Sequence, residues 1–116
     1  MVAMRYGDLP YEEIRERASH DWLAVVPTGY TEQQGPRVPV DFDTWFVEKV
    51  TLAASDRAAS RFKTYSLVLP TIPFGSPPEH RNFCTGHIEI PKNLHESLIY
   101  AVLSSLAEQG FRRIIV

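Results

Sequence analysis

The residues most able to do chemistry lie in one polar run, residues 31–44. This run contains Glu32 and Asp43, with Asp41 shortly before the second carboxylate. Carboxylates are oxygen ligands for divalent metals such as zinc, and a catalytic zinc keeps one position open for water. The run therefore predicts a metal site if folding brings Glu32 and Asp43 together. The alternative is that Asp43 caps a following helix and that Glu32 is a solvated loop acid.

A second polar segment follows further along the chain and contains Glu79 and His80. Neighbouring acid and imidazole groups can transfer protons or contact a substrate, so we predict that this pair binds substrate. The alternative is a solvated surface turn, since two prolines precede the pair. His87 and Glu89 alternate along an extended stretch and therefore share a face. They are either further ligands or an ordinary polar pair on a half-exposed strand.

Three other residues have reactive or ligating side chains without a visible partner in the sequence. Cys84 is a nucleophile only if a base lies close to it, and otherwise a small buried thiol. His20 and His95 lie on helices or at helix ends, and we expect both at the surface. The sequence alone identifies no catalytic residue.

The elements that must position these groups alternate between helix and strand. Apolar residues at helical spacing and short apolar runs predict helix 10–18, strand 22–27, helix 44–62, strand 65–69, a helix marked by Leu94 to Leu106, and strand 111–116. This order favours a parallel sheet flanked by helices and joined by right-handed crossovers. The two polar segments then follow strands, at the sheet edge where α/β proteins bind ligands.

Bulk properties restrict the class of protein. A chain of 116 residues with 44% hydrophobic and 22% charged residues suits a single α/β domain, here residues 1–116. The net charge of −2 argues against nucleic acid as a partner. No apolar run approaches the roughly 20 residues that span a bilayer, so no membrane partner is expected. A single cysteine and the lack of a signal peptide predict a cytoplasmic protein.

The sequence stops on an apolar strand, Arg113 to Val116. A buried parallel strand is an unusual terminus, because its carboxylate would need solvent. We therefore expect residues 1–116 to be the N-terminal portion of a longer domain, ending before part of its site.

Several collinear motifs resemble the creatininase (creatinine amidohydrolase) family. In chain order they are Val-Pro-Thr-Gly, Thr-Glu-Gln-Gln-Gly-Pro-Arg-Val-Pro, Asp-Thr, Pro-Phe-Gly-Ser-Pro-Pro-Glu-His and Gln-Gly-Phe-Arg-Arg-Ile-Ile-Val, at residues 26–29, 31–39, 43–44, 73–80 and 109–116. The resemblance implies a three-layer α/β fold. It also implies a metal-dependent amidohydrolase that cleaves a C–N amide bond in a small, possibly cyclic substrate.

Further properties follow from the same resemblance. Family members hold two divalent metals, zinc or manganese, and assemble as homo-oligomers, often hexamers. Carried over to this sequence, Glu32 is a terminal ligand and Asp43 bridges the metals. A metal-bound hydroxide would attack the carbonyl of the substrate, and the metals would stabilise the oxyanion.

The sequence departs from the family pattern at three positions. Gln34 and Arg37 each stand where the family has histidine, and Asp41 stands where it has glycine. An amide oxygen is a poorer zinc ligand than imidazole, so one or two ions are expected, with Gln34 and Asp41 as possible oxygen ligands. The hydrolase would be active only when completed beyond residue 116. The alternative is a non-catalytic module that has lost metal chemistry and serves oligomer assembly.

Overall fold

The computed structural model describes residues 4–83 and 85–116. It contains four strands and three α-helices: β1 (Met4–Arg5), α1 (Tyr11–Ser19), β2 (Leu23–Val25), α2 (Phe42–Phe62), β3 (Ser66–Val68), α3 (Lys92–Glu108) and β4 (Ile114–Ile115). Two 3₁₀ helices, Tyr6–Asp8 and Pro78–Phe83, lie in the connections.

The strands form one sheet in the order β1-β3-β2-β4, and every pairing is parallel. In register, Ala24 lies opposite Leu67 on one side and Ile114 on the other. The predicted parallel sheet flanked by helices is confirmed. Because β2 and β3 are neighbours, the loops that follow them meet at the same edge of the sheet.

The observed elements differ from the predicted ones mainly at their ends. The strands have two or three residues, shorter than predicted, although backbone hydrogen bonds extend one residue further in places, as from the Val26 N–H to the Ile115 carbonyl. The strand β1 was not predicted, since two residues show no periodicity. The helix α2 begins at Phe42, two residues earlier than expected.

The residue at which α2 begins tests the alternative that Asp43 caps this helix. Asp41 occupies the N-cap position, and its side chain makes no capping hydrogen bond. Asp43 lies in the first turn of the helix, so it is not the cap, although a carboxylate there interacts favourably with the helix dipole.

The core lies between the sheet and its helices. It consists of apolar side chains at most 9% exposed: Ile14, Ala18, Ala24, Val26, Leu67, Leu106 and Phe111. Ala24 and Leu67, from the two central strands, are fully buried. Burial of this apolar surface is the main favourable term for folding, and it fixes the strand ends from which the polar loops begin.

Backbone hydrogen bonds join the two loops, which we define as the first loop (residues 26–41) and the second loop (residues 69–91). The Thr31 N–H donates to the Pro73 carbonyl at 2.7 Å, and the Ile88 N–H donates to the Thr31 carbonyl at 3.0 Å. The first loop is therefore held between two stretches of the second. In the described ranges, no helix is both long and apolar enough to cross a membrane.

Two glycines allow close approach in this region. A β-carbon on Gly29 would lie 2.5 Å from the Asp43 carbonyl oxygen, so glycine lets the first turn of α2 pack on the first loop. A β-carbon on Gly75 would overlap the ring of Tyr30. Both are positions where any larger residue forces the surrounding chain to move.

Candidate active site

Glu32 and Asp43 come together where the first loop meets α2. Glu32 is 16% exposed and Asp43 is half-buried. Burial raises the pKa of the Glu32 carboxyl above its usual value, the His80 imidazole opposes this rise, and the hydrogen bond and charge of Asp43 add to it. Two shielded carboxylates therefore lie close together, with the His80 imidazole beside Glu32.

His80 reaches this pair from the second loop. Its Nε2 atom lies 3.6 Å from Glu32 Oε2, and its side chain is 19% exposed. On the other side of the ring, Gln33 Nε2 lies 3.4 Å from His80 Nδ1. Histidine from one loop thus contacts two consecutive residues of the other.

Gln34, at the position of the family's histidine, contacts the second carboxylate. Its Nε2 donates a hydrogen bond to Asp43 Oδ2 at 3.1 Å. Asp43 is thus in contact with Gln34 as well as with Glu32. The amide occupies one oxygen of Asp43 without neutralising its charge.

Two of the sequence candidates lie outside this cluster. Asp41 is exposed at the start of α2. Glu79 is 70% exposed, and its Oε1 lies 4.0 Å from His80 Nε2, further away than Glu32. Their assignments as metal ligand and substrate contact stay predictions. Cys84 lies outside the described residues.

Glu89 and His87 have separate surroundings. Arg81 donates to both oxygens of Glu89, at 2.7 and 2.6 Å, and this guanidinium lowers the pKa of the Glu89 carboxyl. Because both oxygens of Glu89 accept hydrogen bonds from Arg81, the carboxylate has little capacity left to bind a metal. The Nδ1 atom of His87 is buried and has no hydrogen-bond partner among the described residues.

The sequence analysis missed a contact between Tyr30 and His95. The Tyr30 hydroxyl lies 3.1 Å from His95 Nε2, and the two rings meet edge to face. The expectation that His95 is a surface residue without a partner was wrong, because Tyr30 partly buries it. Burial also raises the pKa of Tyr30, with a smaller contribution from the charge of Glu32. This pair fastens the first loop to α3.

A cavity of about 350 Å³ opens beside Asp43. Asp43 lines it together with Thr28, Gly29, Tyr30, Phe46 and Val47. Its walls are thus largely apolar, with one carboxylate and one phenol, as in many small-molecule sites. A larger depression of about 470 Å³, between α1 and the end of α3, contains none of the candidate residues.

The donor set fits a divalent cation only in part. Throughout 4–83 and 85–116, no three His, Cys, Asp or Glu side chains come close enough to enclose a metal ion. The adjacent, shielded carboxylates of Glu32 and Asp43 would supply two oxygen ligands, and zinc or manganese sites need at least four. The described residues therefore do not form a closed metal cage, and Glu32 and Asp43 could contribute at most two of its ligands.

Comparisons with known proteins place this geometry in context. The chain is 28% identical over 111 residues to 3-dehydro-scyllo-inosose hydrolase of Thermotoga maritima, a match to 96% of this chain and 34% of that protein. It is 36% identical over 73 residues to the mycofactocin precursor peptide peptidase of Mycobacterium ulcerans, covering 60% of this chain and 29% of the relative. The chain thus spans about a third of the length of these relatives.

Solved structures share the fold. Creatinine amidohydrolase (creatininase) superposes with a TM-score of 0.78 at 24% identity, over 98% of this chain and 44% of that one. The Mn form of creatininase gives the same TM-score and identity, over 97% and 43%. A family model described as creatinine amidohydrolase matches residues 7–116, nearly the whole chain. The chain therefore belongs to the creatininase family.

Proposed function

We propose that this chain forms part of a metal-dependent hydrolase that cleaves a C–N amide bond in a small substrate. The observation that carries the proposal is the pair of neighbouring, shielded carboxylates Glu32 and Asp43, of which Asp43 lines a cavity of about 350 Å³. Like charges this close disfavour each other's ionised form, and a bound cation would relieve that repulsion. Because the chain belongs to a family of hydrolases, we expect such a cation to take part in hydrolysis.

The residues present suggest how the work is divided. Glu32 and Asp43 would hold one divalent ion, zinc or manganese. Such an ion, when bound, supplies Lewis-acid activation of a carbonyl and of water. Gln34 restrains Asp43 through its 3.1 Å hydrogen bond. Phe46 and Val47 contribute apolar surface to one side of the cavity.

The cavity limits the class of substrate. Its volume suits a small molecule or one residue of a peptide. The relatives are named for an inosose, a precursor peptide and creatinine, so the family name alone selects no substrate. We propose a small amide, and we further propose that the complete enzyme works as a homo-oligomer.

A non-catalytic module is the second candidate. The specific observation in its favour is Gln34, whose amide satisfies Asp43 Oδ2 without any metal. In that case the fold would serve subunit assembly, and the carboxylates would bind no cation at ordinary concentrations.

Metal binding separates the two candidates. We expect the purified protein to bind Mn²⁺ in calorimetry and Glu32→Gln to weaken that binding by at least about tenfold, because a charged ligand becomes a neutral amide. Glu89→Gln is the matched control, since Glu89 is equally shielded (14% exposed) but paired with Arg81. The control should bind Mn²⁺ like the unmodified protein.

Hydrolysis is tested with the same variants on the protein carrying its natural C-terminal sequence, using creatinine and short peptides as first substrates. Activity that falls with Glu32→Gln and persists with Glu89→Gln supports the hydrolase. Absence of Mn²⁺ and Zn²⁺ binding by the unmodified protein would refute it and favour the assembly module.

A further inference from the structure

Three polar contacts connect Gly35 to Gln33, Gln33 to His80, and His80 to Glu32. The Gly35 N–H donates to Gln33 Oε1 at 2.8 Å. Because that oxygen is already an acceptor, the NH₂ end of the amide is the end that lies 3.4 Å from His80 Nδ1. The opposite ring atom, His80 Nε2, lies 3.6 Å from Glu32 Oε2.

The chemistry of these groups fixes the position of a proton. An amide NH₂ can only donate, so His80 Nδ1 must accept and is unprotonated. In a neutral imidazole the proton then resides on Nε2. That N–H faces the carboxylate of Glu32.

We propose that His80, held in its Nε2–H tautomer by Gln33, is a positioning residue for Glu32. The N–H group faces Oε2 of the carboxylate and limits the orientations that the Glu32 side chain can take. Since a protonated nitrogen has no lone pair to offer, His80 acts on a cation through Glu32 and not as a ligand. The proposal rests on the proposed function only where it assigns Glu32 to the cation.

The backbone on both sides of this contact is fixed. The His80 N–H donates to the Pro77 carbonyl at 3.1 Å within the 3₁₀ helix. The Glu32 N–H donates to the Val40 carbonyl at 3.2 Å. Both side chains are less than a fifth exposed. Glu79 is the rival acceptor, but it is 70% exposed and its Oε1 lies further away, at 4.0 Å.

The tautomer is measured directly by ¹⁵N NMR of the histidine ring, at an alkaline pH where the ring shifts no longer change with pH. We expect the Nε2–H form for His80 in the unmodified protein and a mixture of tautomers in Gln33→Leu. His95, which contacts Tyr30 instead, is the internal control and should not change. An Nδ1–H form in the unmodified protein, or no response to Gln33→Leu, overturns the proposal.

The positioning role is tested with Mn²⁺ alone as the probe. A glutamine amide can present an N–H group near the position of Nε2, whereas leucine cannot. We expect His80→Leu to weaken Mn²⁺ binding by about tenfold, as for other groups that orient a ligand, and His80→Gln to recover most of the loss. Equal losses in both variants would overturn the role. If the unmodified protein does not bind Mn²⁺, the proposed function is refuted. The NMR experiment then still decides whether Gln33 holds His80 in its Nε2–H tautomer.

Discussion

His80 and Arg81 are consecutive residues of one 3₁₀ helix, and each faces a shielded glutamate. Arg81 holds both oxygens of Glu89 at 2.6 and 2.7 Å. His80 approaches one oxygen of Glu32 at 3.6 Å. The pKa of Glu89 is lowered by its partner, while burial raises the pKa of Glu32.

The difference separates a structural ion pair from a site. The guanidinium matches a carboxylate with two parallel donors and leaves its charge balanced. The imidazole offers one donor, and Asp43 adds further negative charge beside Glu32. Glu32 and Glu89 are nearly equally exposed, at 16% and 14%. A bound cation would offset negative charge at Glu32, whereas Arg81 already offsets the charge of Glu89.

Replacing His80 with arginine should remove this difference. In His80→Arg a guanidinium can engage both oxygens of Glu32, as Arg81 does for Glu89. We expect Mn²⁺ binding to weaken by roughly 10- to 100-fold, measured by calorimetry, with little change in thermal unfolding. Unchanged Mn²⁺ affinity would mean that Glu32 is no ligand.

Replacing Gly75 tests how much the packing of the second loop against Tyr30, which supports the loops carrying the His80–Glu32 and Arg81–Glu89 pairs, stabilises the fold. In Gly75→Ala the new methyl group would overlap the ring of Tyr30. We expect the free energy of unfolding to fall by about 1–3 kcal/mol, the usual cost of overpacking. Denaturant titration measures it.

Gly7→Ala is the control for that substitution, because a β-carbon there meets nothing within 4 Å. Its unfolding midpoint should match the unmodified protein. An equal loss in both variants would assign the effect to glycine itself and not to the contact with Tyr30.

The Arg81–Glu89 pair predicts the smallest effect, a change in the pH dependence of stability. The folded-state pKa of Glu89 is lowered, so its contribution is present above the unfolded value of about 4.3 and is lost as the pH falls through the folded value. Arg81→Gln should therefore be less stable than the unmodified protein at neutral pH, with the difference shrinking in acid.

Thermal unfolding at a series of pH values checks this prediction. Arg112→Gln is the control, since Arg112 is 76% exposed and pairs with Asp21. A difference between Arg81→Gln and the unmodified protein that grows in acid would contradict the assigned direction.

The sequence predicted the elements that bury apolar surface and the strand ends from which the polar loops begin. It also identified Glu32, Asp43 and His80, which the structure brings into one cluster. The proximity of these three residues and the order of the elements share a cause: apolar periodicity and strand order determine which loops share an edge of the sheet. The roles of the three residues stay predictions.

The missed contacts depend on distances that no local pattern encodes. Tyr30 and His95 are far apart in the sequence, and their hydrogen bond follows from how α3 packs against the first loop. The partner of Glu89 was also missed, because Arg81 reaches it across a turn within the second loop. Gln33 was not among the sequence candidates, because its contact with the ring of His80 joins two loops that are far apart in the sequence.

The parallel sheet has a consequence for folding kinetics. In the sequence, the whole of α2 separates the two central strands, β2 and β3, and most of the chain separates β2 from its other neighbour, β4. Pairings of this kind close long loops and slow the folding reaction. The bonds from Thr31 to Pro73 and Ile88 depend on that pairing. The contact between Glu32 and His80, which lies between the same two loops, therefore needs these long loops to be closed before it can form.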